Sequence, residues 1–138
     1  ERTSRYSLMA HVPFKTAKAV SDAMISLLTP FVSHVHTITP DNGRELAQHE
    51  RVAESLSAEC FFAHPYASWE RGANENMNGL IRQFFPKKMT FDAISRQDIN
   101  FAMDRLNHRP RKCLGFKTPH EVFMKQIHSR HNPVALQS

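Results

Sequence analysis

Cysteine is scarce: Cys60 and Cys113 are the only two in 138 residues. They lie far apart and have no companions at metal-ligand spacing. That argues against a disulfide framework and leaves two reduced thiols, as expected of a cytoplasmic protein. Long apolar runs are also missing. No stretch approaches the roughly 18 apolar residues that span a bilayer, so no membrane partner is expected. Residues 1–6 are polar and no long apolar run follows them, so no secretory signal is visible. There is no internal repeat. The first residue is Glu1 rather than methionine, in what reads as structured sequence, so the expectation is a fragment of a larger protein.

What is present suits one folded domain. The chain is 41% hydrophobic and 22% charged, enough for a single core. Its formal charge of +5 favours a polyanionic partner, although basic domains without one are common.

Three short strands are expected, at 7–12, 35–39 and 59–63. Between the first two, Thr16 is a helix cap, and Val20, Met24, Leu27, Leu28 and Phe31 recur at helical spacing, with Pro30 near the end. Between the second and third, residues 44–56 read as a helix with Leu46, Val52, Ala53 and Leu56 inward. This alternation predicts an α/β domain. A polar loop at 64–72 carries Tyr66 and Trp69. A helix then starts near Ala73 or Asn74 and stops at Pro86. Ser95 with Asp98 predicts a capped helix with Ile99, Met103 and Leu106 inward. Thr118, Pro119 and Glu121 predict another, with Val122, Phe123 and Ile127 on its apolar side. From His128 onward the apolar period stops, so a core at 1–127 and a flexible tail at 128–138 are expected.

Asp41 follows a strand end, where α/β domains bind ligands; Asp41-Asn42-Gly43 is equally a favourable turn. Glu75 falls in a helical first turn, where a carboxylate is also favoured electrostatically. Glu70, Asp92 and Asp98 compete with it. Two such carboxylates suit Mg²⁺ or Mn²⁺, and metal-assisted phosphoryl transfer would ordinarily use a third. Arg71, Arg82, Lys87, Lys88, Arg109, Arg111 and Lys112 are candidate phosphate contacts or ordinary solvated charge. Tyr66 and Trp69 either stack on bases or pin the loop. Asn74 is a candidate cap; Asn76 and Asn78 would face DNA or back the acidic residues. The His34/His36 and His128/His131 pairs have no Cys or carboxylate set around them that would make a zinc site.

Taken together, PDNG at 40–43 and HPYASWERGANENMNGLIRQFFPK at 64–87 resemble the integrase core of bacterial insertion-sequence transposases of the IS30 family. NHRPRKCLGFKTPHEVF at 107–123 resembles that family's closing segment, and ERTSRY at 1–6 fits an earlier strand-turn-strand region. The resemblance spans nearly all of 1–127. It implies a ribonuclease H-like fold with an Asp-Asp-Glu triad holding two Mg²⁺ or Mn²⁺ ions. Asp41 matches the second Asp and Glu75 the Glu. Arg82 matches a DNA-contacting basic position, and Arg71, Asn74 and Asn78 join the expected DNA-binding set. The implied activity is strand hydrolysis at element ends, then attack of the 3′ hydroxyls on target DNA.

The chain departs from this pattern at its start. The first Asp belongs upstream of the segment matching 1–6, and Glu1 and Asp22 are poor stand-ins. The first strand and most of the second are missing, and the first is the middle of the family's five-stranded sheet. The expectation is therefore a three-stranded remnant or pairing with another copy, hence a homo-oligomer, and a chain inactive alone. His64 stands where the family often has Asp, which lowers the local negative charge. The family's N-terminal helix-turn-helix also lies outside the chain. The alternative is a non-catalytic DNA-binding or oligomerisation remnant.

Overall fold

The computed structural model describes residues 1–40, 44–62 and 72–131. Helix α1 (Ala17–Leu28) starts at Thr16, whose hydroxyl accepts the Ala19 N–H at 3.2 Å. It gives way to a 3₁₀ turn, Thr29–His34, that contains Pro30. Strand β1 (Thr37–Ile38) follows, then a 3₁₀ turn at Arg44–Leu46, helix α2 (His49–Leu56) and strand β2 (Glu59–Cys60). The two strands are parallel, with Thr37 opposite Glu59 and Ile38 opposite Cys60. Bonds from Glu59 N–H to His36 O (3.0 Å) and from Phe61 N–H to Ile38 O (2.8 Å) lock the pair. Helix α2 makes the crossover and packs on α1. Val52 and Leu56 are fully buried there, beside the equally buried small residue Ser21. An ion pair between Asp22 and Arg51 spans the two helices at the surface.

The second half is helical. Helix α3 (Gly72–Phe84) ends just before Pro86. Helix α4 (Arg96–Asn107) opens with the expected capping box: Ser95 Oγ accepts the Asp98 N–H, and the Asp98 carboxylate accepts the Ser95 N–H at 2.8 Å. Helix α5 (Pro119–His131) has the same reciprocal pair between Thr118 and Glu121. Ile94, Ile99, Ala102, Leu106, Pro119 and Phe123 are buried apolar residues of this half.

The N-terminal run is tied to these helices chiefly through one side-chain amide, with weaker bonds from Ser7 Oγ to Met77 Sδ and from Met9 N–H to Met103 Sδ, both at 3.2 Å. Asn107 is 4% exposed. Its Oδ1 accepts the Ser7 N–H at 2.9 Å and its Nδ2 donates to Ser7 O at 2.8 Å. Next to this anchor, Tyr6 stacks on Phe123 with centroids 4.2 Å apart, and Phe31 meets Phe123 edge-on at 5.3 Å. The cluster joins the N-terminal run, the end of the α1 region and α5.

Several expectations need correction. Residues 7–12 make no strand: Ser7 is paired with a side chain, and the Met9 N–H reaches only Met103 Sδ, at 3.2 Å. The sheet among the described residues therefore has two strands instead of three. The strands expected at 35–39 and 59–63 shrink to two residues each, because a ladder extends no further than its neighbour; Ala63 lies outside the described residues. The helix expected over 44–56 splits into a 3₁₀ turn and α2. Asn74 lies inside α3, not at its cap, since the helix begins at Gly72. Helix α5 runs on to His131, past the boundary expected at 127, while 132–138 lie outside the described residues. An open groove of ≈ 520 Å³, lined by Tyr6, Leu8, Phe31, Ile38, Phe123 and Ile127, flanks the short sheet.

Two outcomes follow. Asn107→Ala leaves the Ser7 amide and carbonyl without their partners and should cost about 1–3 kcal/mol in urea unfolding. The second concerns acid. Hydrogen bonds from the Ser95 backbone and then its hydroxyl hold Asp98 below its ordinary pKa, and Thr118 does the same for Glu121. A lowered folded-state pKa means stability that is present above the unfolded carboxylate range and lost as pH falls through the folded one. Asp98→Asn combined with Glu121→Gln should therefore flatten the acid limb of the stability–pH curve, read by thermal melts between neutral and acid pH.

Candidate active site and nucleic-acid interface

The acidic residues sort themselves by what they already hold. Glu1 accepts the N–H groups of Thr3 and Ser4 and the Ser4 hydroxyl. Asp22 is paired with Lys18 and Arg51, which pull its pKa down. Neither is disposed to replace a catalytic carboxylate. Asp98 and Glu121 are helix caps, and Asp104 faces His108 at 3.1 Å. Asp92 sits exposed in the 3₁₀ turn Phe91–Ala93. Glu75 differs from the caps and paired acids: it is exposed in the first turn of α3, with no hydrogen bond or ion pair to its carboxylate among the described residues.

Asp41, Asn42 and Gly43 lie outside the described residues, as do His64, Tyr66, Trp69, Glu70 and Arg71. The structure does place what precedes Asp41. β1 ends at Ile38 and Pro40 is buried, so the chain leaves the sheet just before that residue. Among the described residues no group of three His, Cys, Asp or Glu side chains could hold a metal ion.

Helix α3 turns Ala73, Met77, Leu80, Ile81 and Phe84 toward the protein and leaves Asn74, Glu75, Asn76, Asn78, Arg82 and Gln83 exposed. Glu75, Asn78 and Arg82 are three and then four residues apart, so they follow one outer face over about 10 Å. Phe84 meets Phe101 of α4 edge-on at 6.4 Å, and Arg105 lies over the Phe101 ring at 5.2 Å. Lys87 and Lys88 are exposed in the turn that follows α3.

The turn after α4 carries the remaining basic residues. It is closed by bonds from Phe116 N–H to Arg111 O (2.9 Å) and from Arg111 N–H to Lys117 O (3.0 Å). Gly115 has φ 62°, a conformation that suits glycine, and Phe116 follows it there at φ 65°. Arg109 Nη1 comes within 3.4 Å of Gln83 Oε1, which joins this turn to the last turn of α3 beside Arg82. Lys112 is exposed. Arg111 behaves differently: its Nη2 donates to Leu106 O at 3.1 Å near the end of α4, and burial, aided by the charge of Arg109, lowers its pKa. Gln83 and Asn107 were not singled out by sequence reasoning. Their partners lie 26 and 100 residues away, and no local pattern marks either contact.

Comparison with known proteins gives a consistent picture. The chain is 47% identical over 124 residues to the transposase of insertion element IS4351 from Bacteroides fragilis, covering 90% of this chain and 37% of that protein. It is 36% identical over 128 residues to transposase InsI of IS30A from Escherichia coli K12, covering 92% of this chain and 33% of that protein. It thus spans about a third of the length of these curated relatives. No family model matches it. Among solved structures, the catalytic core domain of BIV integrase superposes with a TM-score of 0.66 at 19% identity, over 96% of this chain and 86% of that one. That likeness shows the fold: a ribonuclease H-like integrase core whose sheet is reduced, among the described residues, to two short strands.

Arg111 and Lys112 should therefore separate on substitution. Arg111→Ala, which uncaps a part-buried carbonyl, is expected to cost about 1–2 kcal/mol of stability. Lys112→Ala should stay within about 0.5 kcal/mol of the parent. Chemical denaturation of both variants checks the difference.

Proposed function

Since the chain is homologous to the transposases of IS30-type insertion elements, we propose that it serves as part of a DDE-type DNA transposition core. The observation that carries this reading is Glu75. In a chain related to transposases it lies exposed in the first turn of α3 with no partner to its carboxylate among the described residues, a state shared by Glu50, Glu54, Glu59 and Asp92, and its place in the transposase-like motif sets it apart from them. Asp41, three residues beyond β1 in sequence, is its proposed partner.

Both are hard oxygen donors of the kind Mg²⁺ and Mn²⁺ take, and the exposed Glu75 carboxylate, without a partner among the described residues, fits such an ion. When bound, the ions supply activation of a water or 3′ hydroxyl and stabilisation of the leaving oxygen. The protein's own part is to hold the DNA backbone in place. Arg82, Lys87, Lys88, Arg109 and Lys112 offer cations along α3 and the two turns beside it, Asn74 and Asn78 add polar contacts, and Arg71 extends the set. Arg111 fits a supporting role better, because its guanidinium is already used at the end of α4. These 138 residues supply two of the three carboxylates such a site uses, so the chain by itself is proposed to be inactive. Its partners are DNA and further copies of itself. Both thiols are free, as a cytoplasmic setting would leave them, and no helix among the described residues is long and apolar enough to cross a membrane.

A second reading, a DNA-binding remnant without catalytic role, draws support from the basic face, which does not need Glu75. The two readings separate in one set of measurements. The purified chain should give no strand-transfer product with Mg²⁺ or Mn²⁺; metal-dependent cleavage would overturn the inactivity. Calorimetric titration with Mn²⁺ should show weak binding that Asp41→Ala and Glu75→Ala each abolish without changing the circular dichroism. Binding that survives both substitutions would remove the carboxylate assignment. Salt-dependent DNA binding alone, indifferent to both, would favour the remnant.

A further inference from the structure

We infer that Phe116 is a stacking platform for an unpaired nucleobase, presented at the tip of the basic turn between α4 and α5. This role rests on the DNA-binding part of the function proposed above and names the form of DNA that the turn prefers.

A lone exposed phenylalanine carries little meaning on a protein surface. Phe116 is a different case because of its backbone. At φ 65° it sits in the left-handed region, where a bulky side chain is strained. Folded chains hold a residue there only when the surroundings over-determine it. Here they do. The Phe116 N–H donates to Arg111 O at 2.9 Å, and the Lys117 N–H donates to Leu114 O at 3.3 Å. Lys117 O in turn accepts the Arg111 N–H at 3.0 Å. A glycine would take this conformation without strain. The phenyl ring does not offset the strain by packing, since the residue is 71% exposed. The turn thus holds an aromatic ring out to solvent against its own backbone preference.

The charge around the ring names the occupant. Residues 105–120 hold Arg105, Arg109, Arg111, Lys112 and Lys117 and no Asp or Glu. Lys112 and Lys117 are both exposed. The next acid along the chain, Glu121, is engaged with the Thr118 N–H at 2.7 Å. Cations with an aromatic face among them suit a nucleic-acid strand, the cations for phosphate and the ring for a base. Between duplex and single strand, the energies decide. Inserting the ring into a duplex unstacks a base step, at a cost comparable with the gain from one stacked base. A base already out of the stack brings the gain alone. Strand ends and frayed segments supply such bases. The Arg109–Gln83 contact joins this turn to the end of α3.

Fluorescence anisotropy of labelled oligonucleotides with the purified chain tests this. The probes are an oligothymidylate single strand, an abasic sugar-phosphate strand of the same length, and a duplex. Phe116→Ala should weaken binding to the oligothymidylate about tenfold and leave the other two within about twofold. The salt dependence should stay as it was, since no cation is lost. Phe116→Tyr should keep the parental affinity, and Phe116→Leu should behave as Phe116→Ala. Lys112→Ala should instead weaken all the probes and lower the salt slope. Phe116→Gly controls for folding: it relieves the strain, so it should melt no lower than the parent while losing about the same tenfold. Equal losses on oligothymidylate and duplex overturn the proposal, as does oligothymidylate binding indifferent to Phe116→Ala. Phe116→Leu binding as well as Phe116→Tyr overturns it too, because stacking needs the ring. A parent chain that binds none of the probes removes the DNA reading together with this role. A chain that binds the duplex and shows no gain from bases over the abasic strand removes this role alone.

Discussion

Asn107 gives both ends of its carboxamide to Ser7, and much of the arrangement depends on that bond pair. A side-chain amide carries a donor and an acceptor side by side, as a facing strand residue would. At the end of α4 it takes the place of one rung of a ladder. With Ser7 held, Tyr6 lies against Phe123, Phe31 closes on the same ring, and the N-terminal run becomes part of the fold. Without a true neighbouring strand the substitution stops after one residue. Met9 finds a thioether, and the backbone groups of Leu8, Ala10 and Val12 find no partner among the described residues.

The carboxylates obey a similar economy. Helix N-termini need acceptors, and Asp98 and Glu121 provide them. The α1–α2 contact takes Asp22 for Arg51. Those residues are held at low pKa by the groups they satisfy, and that engagement removes them from any metal site. Glu75 has no such task among the described residues, and its place in the first turn of α3 leaves it outward with Asn78 and Arg82 along the same face. Basic residues divide the same way. Arg111 is drawn inward to a carbonyl of α4, while Lys112 beside it remains in solvent. Charge type was a weak guide to role, and the free or engaged state of each group is the sharper one.

Local rules were legible where the physics is local. The Thr16, Ser95 and Thr118 caps need only a hydroxyl, a backbone N–H and three residues of spacing, and each stands where the sequence places it. The breaks at Pro30 and Pro86 and the inward stripe of α4 are of the same kind, whereas in α1 the expected apolar residues are only half-buried and Ser21 is the buried one. Strand extent was not legible. Residues 7–12, 35–39 and 59–63 all have strand-like composition, yet a strand is a pairwise object and its length is set by what lies beside it. The Gln83–Arg109 and Ser7–Asn107 contacts were hidden for that reason too: each joins residues brought near only by helix packing.

The sequence alone determined the helix caps and proline breaks, the order α1, β1, α2, β2, and the choice of Asp41 and Glu75 as candidates, the last through the family resemblance of a long motif. Tertiary structure decided which acids are already spent as caps or ion pairs, which arginine is structural, and how little sheet survives. The physical reason is range. Caps, turns and helical periodicity act over three or four residues. Ladders, buried amides and aromatic clusters require groups up to 100 residues apart to meet, and only the folded chain says which do.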